Sequence, residues 1–165
     1  MVDDAALAAS TLAGHDAVVV ADGSPASLSG PALQAVAAFV AGGGTYVGWR
    51  ARGIAVAGAA GLTQATIAGG PATIFVPGAA VAVGSSVVVD NDDLLIVGGH
   101  VVATYADVVS GWTSGSPAGR PAILDERVGA GRSVLFAFDP VFRGSRESAE
   151  ALLTTALNGA SPGAR

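Results

Sequence analysis

Residues 46–53 read YVGWRARG, between the glycines Gly42, Gly43 and Gly44 and the apolar run IAVAGAAGL. With Thr45 the first half becomes TYVGW, a short apolar stretch that reads as a strand. A second short helix, from about Arg52 to Ala60, follows across a tight turn. A strand that runs into such a turn and then a helix is where many α/β enzymes place a nucleophile. Here the turn carries Arg50.

Working upstream, DAVVVADG at 16–23 is a β-branched run ending in a turn signal. Its continuous valines suit a strand covered on both faces, as in a parallel sheet. Ser29 then offers a helix cap with Pro31 in the first turn, and Leu33, Val36, Ala37 and Val40 recur at helical spacing. Gly42 to Gly44 stop that helix and precede a strand, so they are not a dinucleotide-binding fingerprint. Residues 16–49 therefore make a βαβ unit, expected to be parallel and right-handed. Residues 3–12 form a further short helix.

Downstream, short apolar runs at 73–76, 80–83, 87–89, 94–97 and 101–105 read as strands between glycines, in an order the pattern does not fix. PAILDERVGAGRSVLFAFD at 121–139 reads as an antiparallel hairpin whose loop contains Gly129 and Gly131. A last helix starts near Ser145 and buries Ala149, Leu152, Leu153, Ala156 and Leu157, before a frayed tail. No repeat interrupts this order. Residues 1–160 are read as one domain and 161–165 as a disordered tail.

The 165 residues suffice for one domain with a real core. All eight basic residues are arginine, which excludes a lysine Schiff base within this chain, and there is no cysteine to serve as thiolate, disulfide or zinc ligand. A net charge of −5 without a basic cluster argues against a nucleic-acid surface. The N-terminus MVDDAALAAS lacks the features of a signal peptide. The uncharged stretch between Arg52 and Asp90 is broken too often by glycine and proline for a bilayer helix, so no membrane association is expected.

In an open α/β sheet, ligands sit beyond the carboxyl ends of the parallel strands. Three segments fall there: Asp22, Gly23 and Ser24 after the first strand, Arg50 and Arg52 after the second, and Asp139 with Arg143 after the last. If the strands are neighbours, two acids and several arginines meet on one rim. The functional reading is a carboxylate- or glycan-binding pocket with Arg50 as the fork. The structural reading has Asp139 and an arginine fixing a loop, Asp22 accepting backbone N–H groups in its turn, and Ser24 as a turn former. His15 and His100 fit no metal signature and read as loop residues, and the run 90–93 as a solvated loop. The aromatics Tyr46, Trp49, Tyr105 and Trp112 read as core.

With DAVVVADGS, FVAGGGTYVGWRARGIAVAGAAGL and the closing VLFAFDP in place, the chain resembles the class I glutamine amidotransferase-like superfamily. More narrowly, GGTYVGWRARG, FVPG, the SGW segment, GRPAILDERVGAGRSVLFAFDPVFRG and ALLTTALNGA resemble the amidotransferase-like domain of actinobacterial zinc carboxypeptidases. The resemblance covers roughly residues 11–159. It implies a flavodoxin-like three-layer α/β sandwich with a mostly parallel sheet and an antiparallel hairpin near the C-terminus. The superfamily opens with a strand–helix unit that has no counterpart here, so an exposed sheet edge and self-association into a homo-oligomer are expected.

The resemblance also places a nucleophilic cysteine at Arg50 or Ala51, and a histidine and glutamate where Asp139 and Val141 stand. Arginine stays protonated and cannot attack a carbonyl, so the triad is absent. The peptidase's zinc-binding H-x-x-E pair is absent as well. The resemblance therefore implies a non-catalytic accessory domain of a secreted zinc carboxypeptidase, without cofactor or metal of its own, whose partners are the other domains of that enzyme. A divergent hydrolase using Asp139 with Arg50 or Arg143, and a module binding a small carboxylate or glycan, are the alternatives.

Overall fold

The computed structural model describes residues 4–8, 12–21, 25–68, 74–75, 79–81, 85–87, 95–108, 112–113, 118–141 and 147–158. Its helices are α1 (Asp4–Ala8), α2 (Gly30–Ala41), α3 (Arg50–Ala59) and α4 (Glu147–Leu157). The strands are β1 (Ala17–Val20), β2 (Thr45–Trp49), β3 (Thr66–Ala68), β4 (Ile74–Phe75), β5 (Ala79–Val81), β6 (Ser85–Val87), β7 (Leu95–Val97), β8 (Val101–Val108), β9 (Trp112–Thr113), β10 (Pro121–Val128) and β11 (Gly131–Phe136). Among the described residues no helix is long and apolar enough to cross a membrane.

One sheet organises the chain, in the order β1-β2-β11-β10-β8-β5-β6. β1 runs parallel to β2, and β2 parallel to β11. From β10 outward each strand is added antiparallel to its neighbour. The division follows the burial. Every residue of β2 and of β11 is buried, so both faces of these strands are covered, as the helix-flanked parallel part of an α/β sandwich requires. β1 corrects the reading of its valine run as a strand covered on both faces: it is the edge strand, none of its residues is fully buried and Val19 is exposed. Two short antiparallel pairs, β3 with β7 and β4 with β9, complete the strands.

Local chemistry fixes each helix. Ser29 caps α2 by accepting the Ala32 N–H at 3.3 Å, its own N–H donates to Asp4 Oδ1 at 2.7 Å, and Pro31 occupies the first turn. Val36 and Val40 are buried, each worth about 2 kcal/mol of apolar burial, with Leu33 and Ala37 packed beside them. α2 ends at Gly42, as the glycine run implies. In α4, Leu152 and Ala156 are buried and Leu153 packs on the core. Leu157 does not: it is exposed at the last turn, a correction to the helical pattern, because it borders an open cleft with Leu12, Phe39 and Thr45; the side chain of Ala149, also expected to be buried, lies outside the described residues. The expected helix at 3–12 is described only over Asp4–Ala8.

The hairpin expected at 121–139 is β10 and β11, closed at Gly129 (φ 61°) and Ala130. Ala130 N–H donates to Ala41 O, and Gly131 lies so close to Val40 O and Gly44 O that a side chain there has no room. The hairpin turn is thereby fastened to the end of α2. A diagonal pair across the hairpin, Arg132 with Asp125, is bidentate and largely buried. Phe136 and Phe138 meet edge-on at 5.6 Å between ring centres, and Phe138 meets Tyr105 at 6.3 Å. The five strands read between residues 73 and 105 are present as β4 to β8, with β3 and β9 in addition.

Tyr46 joins β2 to α3. Its hydroxyl donates to Gly53 O at 2.6 Å, and the residue is fully buried. Burial pushes the phenol far above its usual ionisation near 10.0. In the unfolded chain it ionises near that ordinary value, whereas in the fold it stays neutral well beyond it. The stabilisation from the neutral form is therefore complete below about pH 10 and is lost as pH rises above it, at about 1.4 kcal/mol per pH unit. Urea unfolding between about pH 8 and about pH 11 is expected to show this alkaline decline in the parent protein and a shallower one in Tyr46→Phe; equal slopes would show that Tyr46 is not the buried phenol responsible.

Candidate functional site

The turn between β2 and α3 is built from two glycines. A Cβ on Gly53 would stand 2.8 Å from Val20 O and 2.9 Å from the Gly48 carbonyl carbon, and one on Gly48 would stand 3.0 Å from Gly53 O. Both are backbone contacts that cannot swing aside. The first turn of α3 thus lies directly on the ends of β1 and β2, and the chain must reverse within Trp49 and Arg50. Trp49 is still extended, at φ −141° and ψ 161°. Arg50 takes the whole change of direction at φ 56°, and it is the one non-glycine residue with positive φ among those described. That conformation costs roughly 1–2 kcal/mol for a side-chain-bearing residue. The helix consequently begins at Arg50, two residues earlier than its sequence suggests.

The sharp turn presents Arg50 at the carboxyl end of β2. The parallel register of β11 places Phe136 opposite Trp49, so Asp139 emerges on the same rim. Arg50 Nη1 lies 3.8 Å from Asp139 Oδ2, with the two side chains 23% and 18% exposed. At that distance and exposure the pair is an ion pair worth under about 1 kcal/mol, not a tight fork. The other carboxylate oxygen, Oδ1, accepts the Val141 N–H at 2.9 Å and closes the loop after β11. Asp139 thus binds its own turn with one oxygen and faces Arg50 with the other.

Of the sequence-derived rim, the structure brings Arg50 and Asp139 together. Arg52 lies in the first turn of α3 and is exposed. Asp22, Gly23, Ser24 and Arg143 lie outside the described residues, as does the acidic run 90–93. His15 and His100 are exposed loop residues, His100 with Nδ1 3.0 Å from Asp125 O. Tyr46, Trp49 and Tyr105 are core. Among the described residues no group of three His, Cys, Asp or Glu could hold a metal. A cleft of about 650 Å³ opens at the opposite, amino-terminal ends of β1 and β2, and neither Arg50 nor Asp139 lines it.

The residues that build the turn, Tyr46, Gly48 and Gly53, are absent from the candidate rim. Their signal is the glycine pair flanking Arg50 at five-residue spacing, which requires knowing that β1 passes beside Gly53.

Neither a protein-family model nor a curated protein matches the sequence. Solved structures do. The exo-β-1,4-mannosidase Op5Man5 from Opitutaceae bacterium strain TAV5 is similar over 87% of this chain, at 18% identity and a TM-score of 0.51. A β-galactosidase from Bacillus circulans sp. alkalophilus is similar over the same share, again at 18% identity and a TM-score of 0.51. The likeness is one of fold. This chain spans 24% of the mannosidase and 22% of the galactosidase, so the architecture occurs there as a minor part of a longer polypeptide.

The left-handed turn at Arg50 has a direct thermodynamic consequence. Glycine relieves the strain and alanine does not, while both remove the weak pair with Asp139. Arg50→Gly is expected to be more stable than Arg50→Ala by about 1 kcal/mol, although alanine is ordinarily the better helix residue by a similar amount. Urea midpoints of the two variants measure the difference, and alanine proving the more stable would show that residue 50 does not occupy the left-handed region.

Proposed function

We propose that this chain is a non-catalytic accessory domain of a larger secreted enzyme, contributing to interdomain packing or to substrate positioning. The observation that carries the proposal is the turn itself. At the point where the scaffold aims a side chain off the end of β2, it holds Arg50 beside Asp139. A guanidinium cannot serve as nucleophile or general base near neutral pH, and the neighbouring carboxylate is occupied by its own turn and by that arginine. The occurrence of this fold as under a quarter of two longer enzymes is consistent with an auxiliary role. The sequence resemblance set out above directs the choice of parent to a zinc carboxypeptidase.

A carboxylate-binding role for the same rim draws on one feature. The first turn of α3 holds Arg50 and Arg52, no acidic residue, and no side-chain cap. An anion there would meet the positive end of the helix and two guanidinium groups.

The purified chain is expected to show no hydrolysis of glutamine, small amides or peptides above the buffer rate. Hydrolysis that disappears in Arg50→Ala would overturn the proposal. A thermal-shift screen with small carboxylates separates the two roles: saturation at about 100 times a dissociation constant adds roughly 2.7 kcal/mol, and the packing role predicts no shift.

A further inference from the structure

The cleft at the amino-terminal ends of β1 and β2 belongs to no part of the rim and has a distinct chemistry. Its wall includes Asp16, Phe39, Thr45, Leu157 and Asn158, with the main chain of Gly42 to Gly44 between them. Two helices, α2 and α4, end there, and neither has a basic residue in its last turn. Helix C-termini carry partial negative charge that proteins ordinarily offset with Lys, Arg or His. The last carbonyls of α2 are engaged by the turn, through Gly42, Gly43, Gly44 and Ala130 N–H groups. Among the described residues the Asp16 carboxylate and the carboxyl end of α4 are the negative groups at the cleft. Asp16 is exposed and its backbone carbonyl, not its side chain, accepts the Thr45 N–H at 2.9 Å. Among the described residues no arginine lines the cleft, and His15 is the one basic side chain that does.

We propose that this cleft receives an arginine or lysine side chain from a neighbouring polypeptide domain. Charge complementarity selects the occupant. A carboxylate, a helix C-terminus and an aromatic wall together favour a cation with an apolar stem, and a guanidinium or an ammonium on its methylene chain has that form. The chain as a whole carries a net charge of −5, which draws basic segments and repels acidic ones. A side chain presented by a peptide fits better than free arginine, whose own carboxylate would face Asp16 and the end of α4. The inference deepens the interdomain-packing role proposed above by naming the surface and the chemistry of the partner.

The test uses acetyl-Gly-Arg-Gly-amide as the probe, followed by amide chemical shifts of the whole chain. Saturable shifts are expected at Asp16, Gly42, Gly43, Gly44, Thr45 and Asn158, weakening about fivefold or more when salt rises from about 50 mM to about 500 mM. Asp16→Asn is expected to weaken binding by about two- to fivefold. Asn158→Lys, which places a cation at the end of α4 where it favours the helix, is expected to fold normally and abolish binding. Absence of shifts, equal shifts with acetyl-Gly-Gln-Gly-amide, insensitivity to both substitutions, or tighter binding of free arginine would each overturn the inference. None of these outcomes touches the catalytic inertness of the Arg50 turn, which the hydrolysis assay tests separately.

Discussion

The close approach of Gly48 and Gly53 is the constraint on which the rest of this structure depends. A side chain at either position would meet backbone atoms at about van der Waals overlap, and the Tyr46 hydroxyl seals the approach by donating to Gly53 O. With the first turn of α3 held against the ends of β1 and β2, the chain has room for one residue of sharp turning. Arg50 supplies it at φ 56°. The strain, the early start of the helix and the direction of the arginine side chain are three consequences of one steric fact.

Neighbouring elements turn that local fact into a rim. β11 runs beside β2 in parallel register, so the segment after Phe136 arrives at the same end of the sheet as Arg50. Asp139 completes the arrangement by binding its own turn with one oxygen and facing the arginine with the other. A sharp strand–helix turn is suited to hold a reactive atom clear of the sheet. Here the same geometry holds a permanent cation next to a carboxylate, and a guanidinium is no nucleophile near neutral pH.

Much of the fold was legible because the relevant signals are local. The Ser29 cap, Pro31 and the valines at helical spacing define α2, and the two apolar runs around Gly129 define the hairpin. TYVGW declares a strand, whereas its burial on both faces, and the exposure of Val19 in the valine run beside it, depend on β1 lying at the sheet edge and β2 inside it. What stayed hidden depends on neighbours distant in sequence. The order of strands β3 to β9 is set by pairings that poorly alternating valine and alanine runs do not specify. The exposure of Leu157 depends on the cleft that opens between it, Phe39 and Thr45. The pairing of Arg50 with Asp139 was anticipated only as one outcome of strands lying side by side, and the roles of Gly48 and Gly53 required the position of Val20. The cleft at the other end of β1 and β2 could not be read at all, because Asp16, Phe39 and Asn158 come together through three separate elements.

Backbone contact at Gly53 holds the turn, and the stability of Gly53→Ala is the measurement that decides it. Within an unconstrained helix, alanine is better than glycine by about 0.8–1 kcal/mol. Contact with Val20 O and Gly48 forces the backbone to shift and reverses the sign, so denaturant unfolding should show a net loss of about 1–3 kcal/mol. A Gly53→Ala protein as stable as the parent, or more so, would show that this contact does not hold the turn.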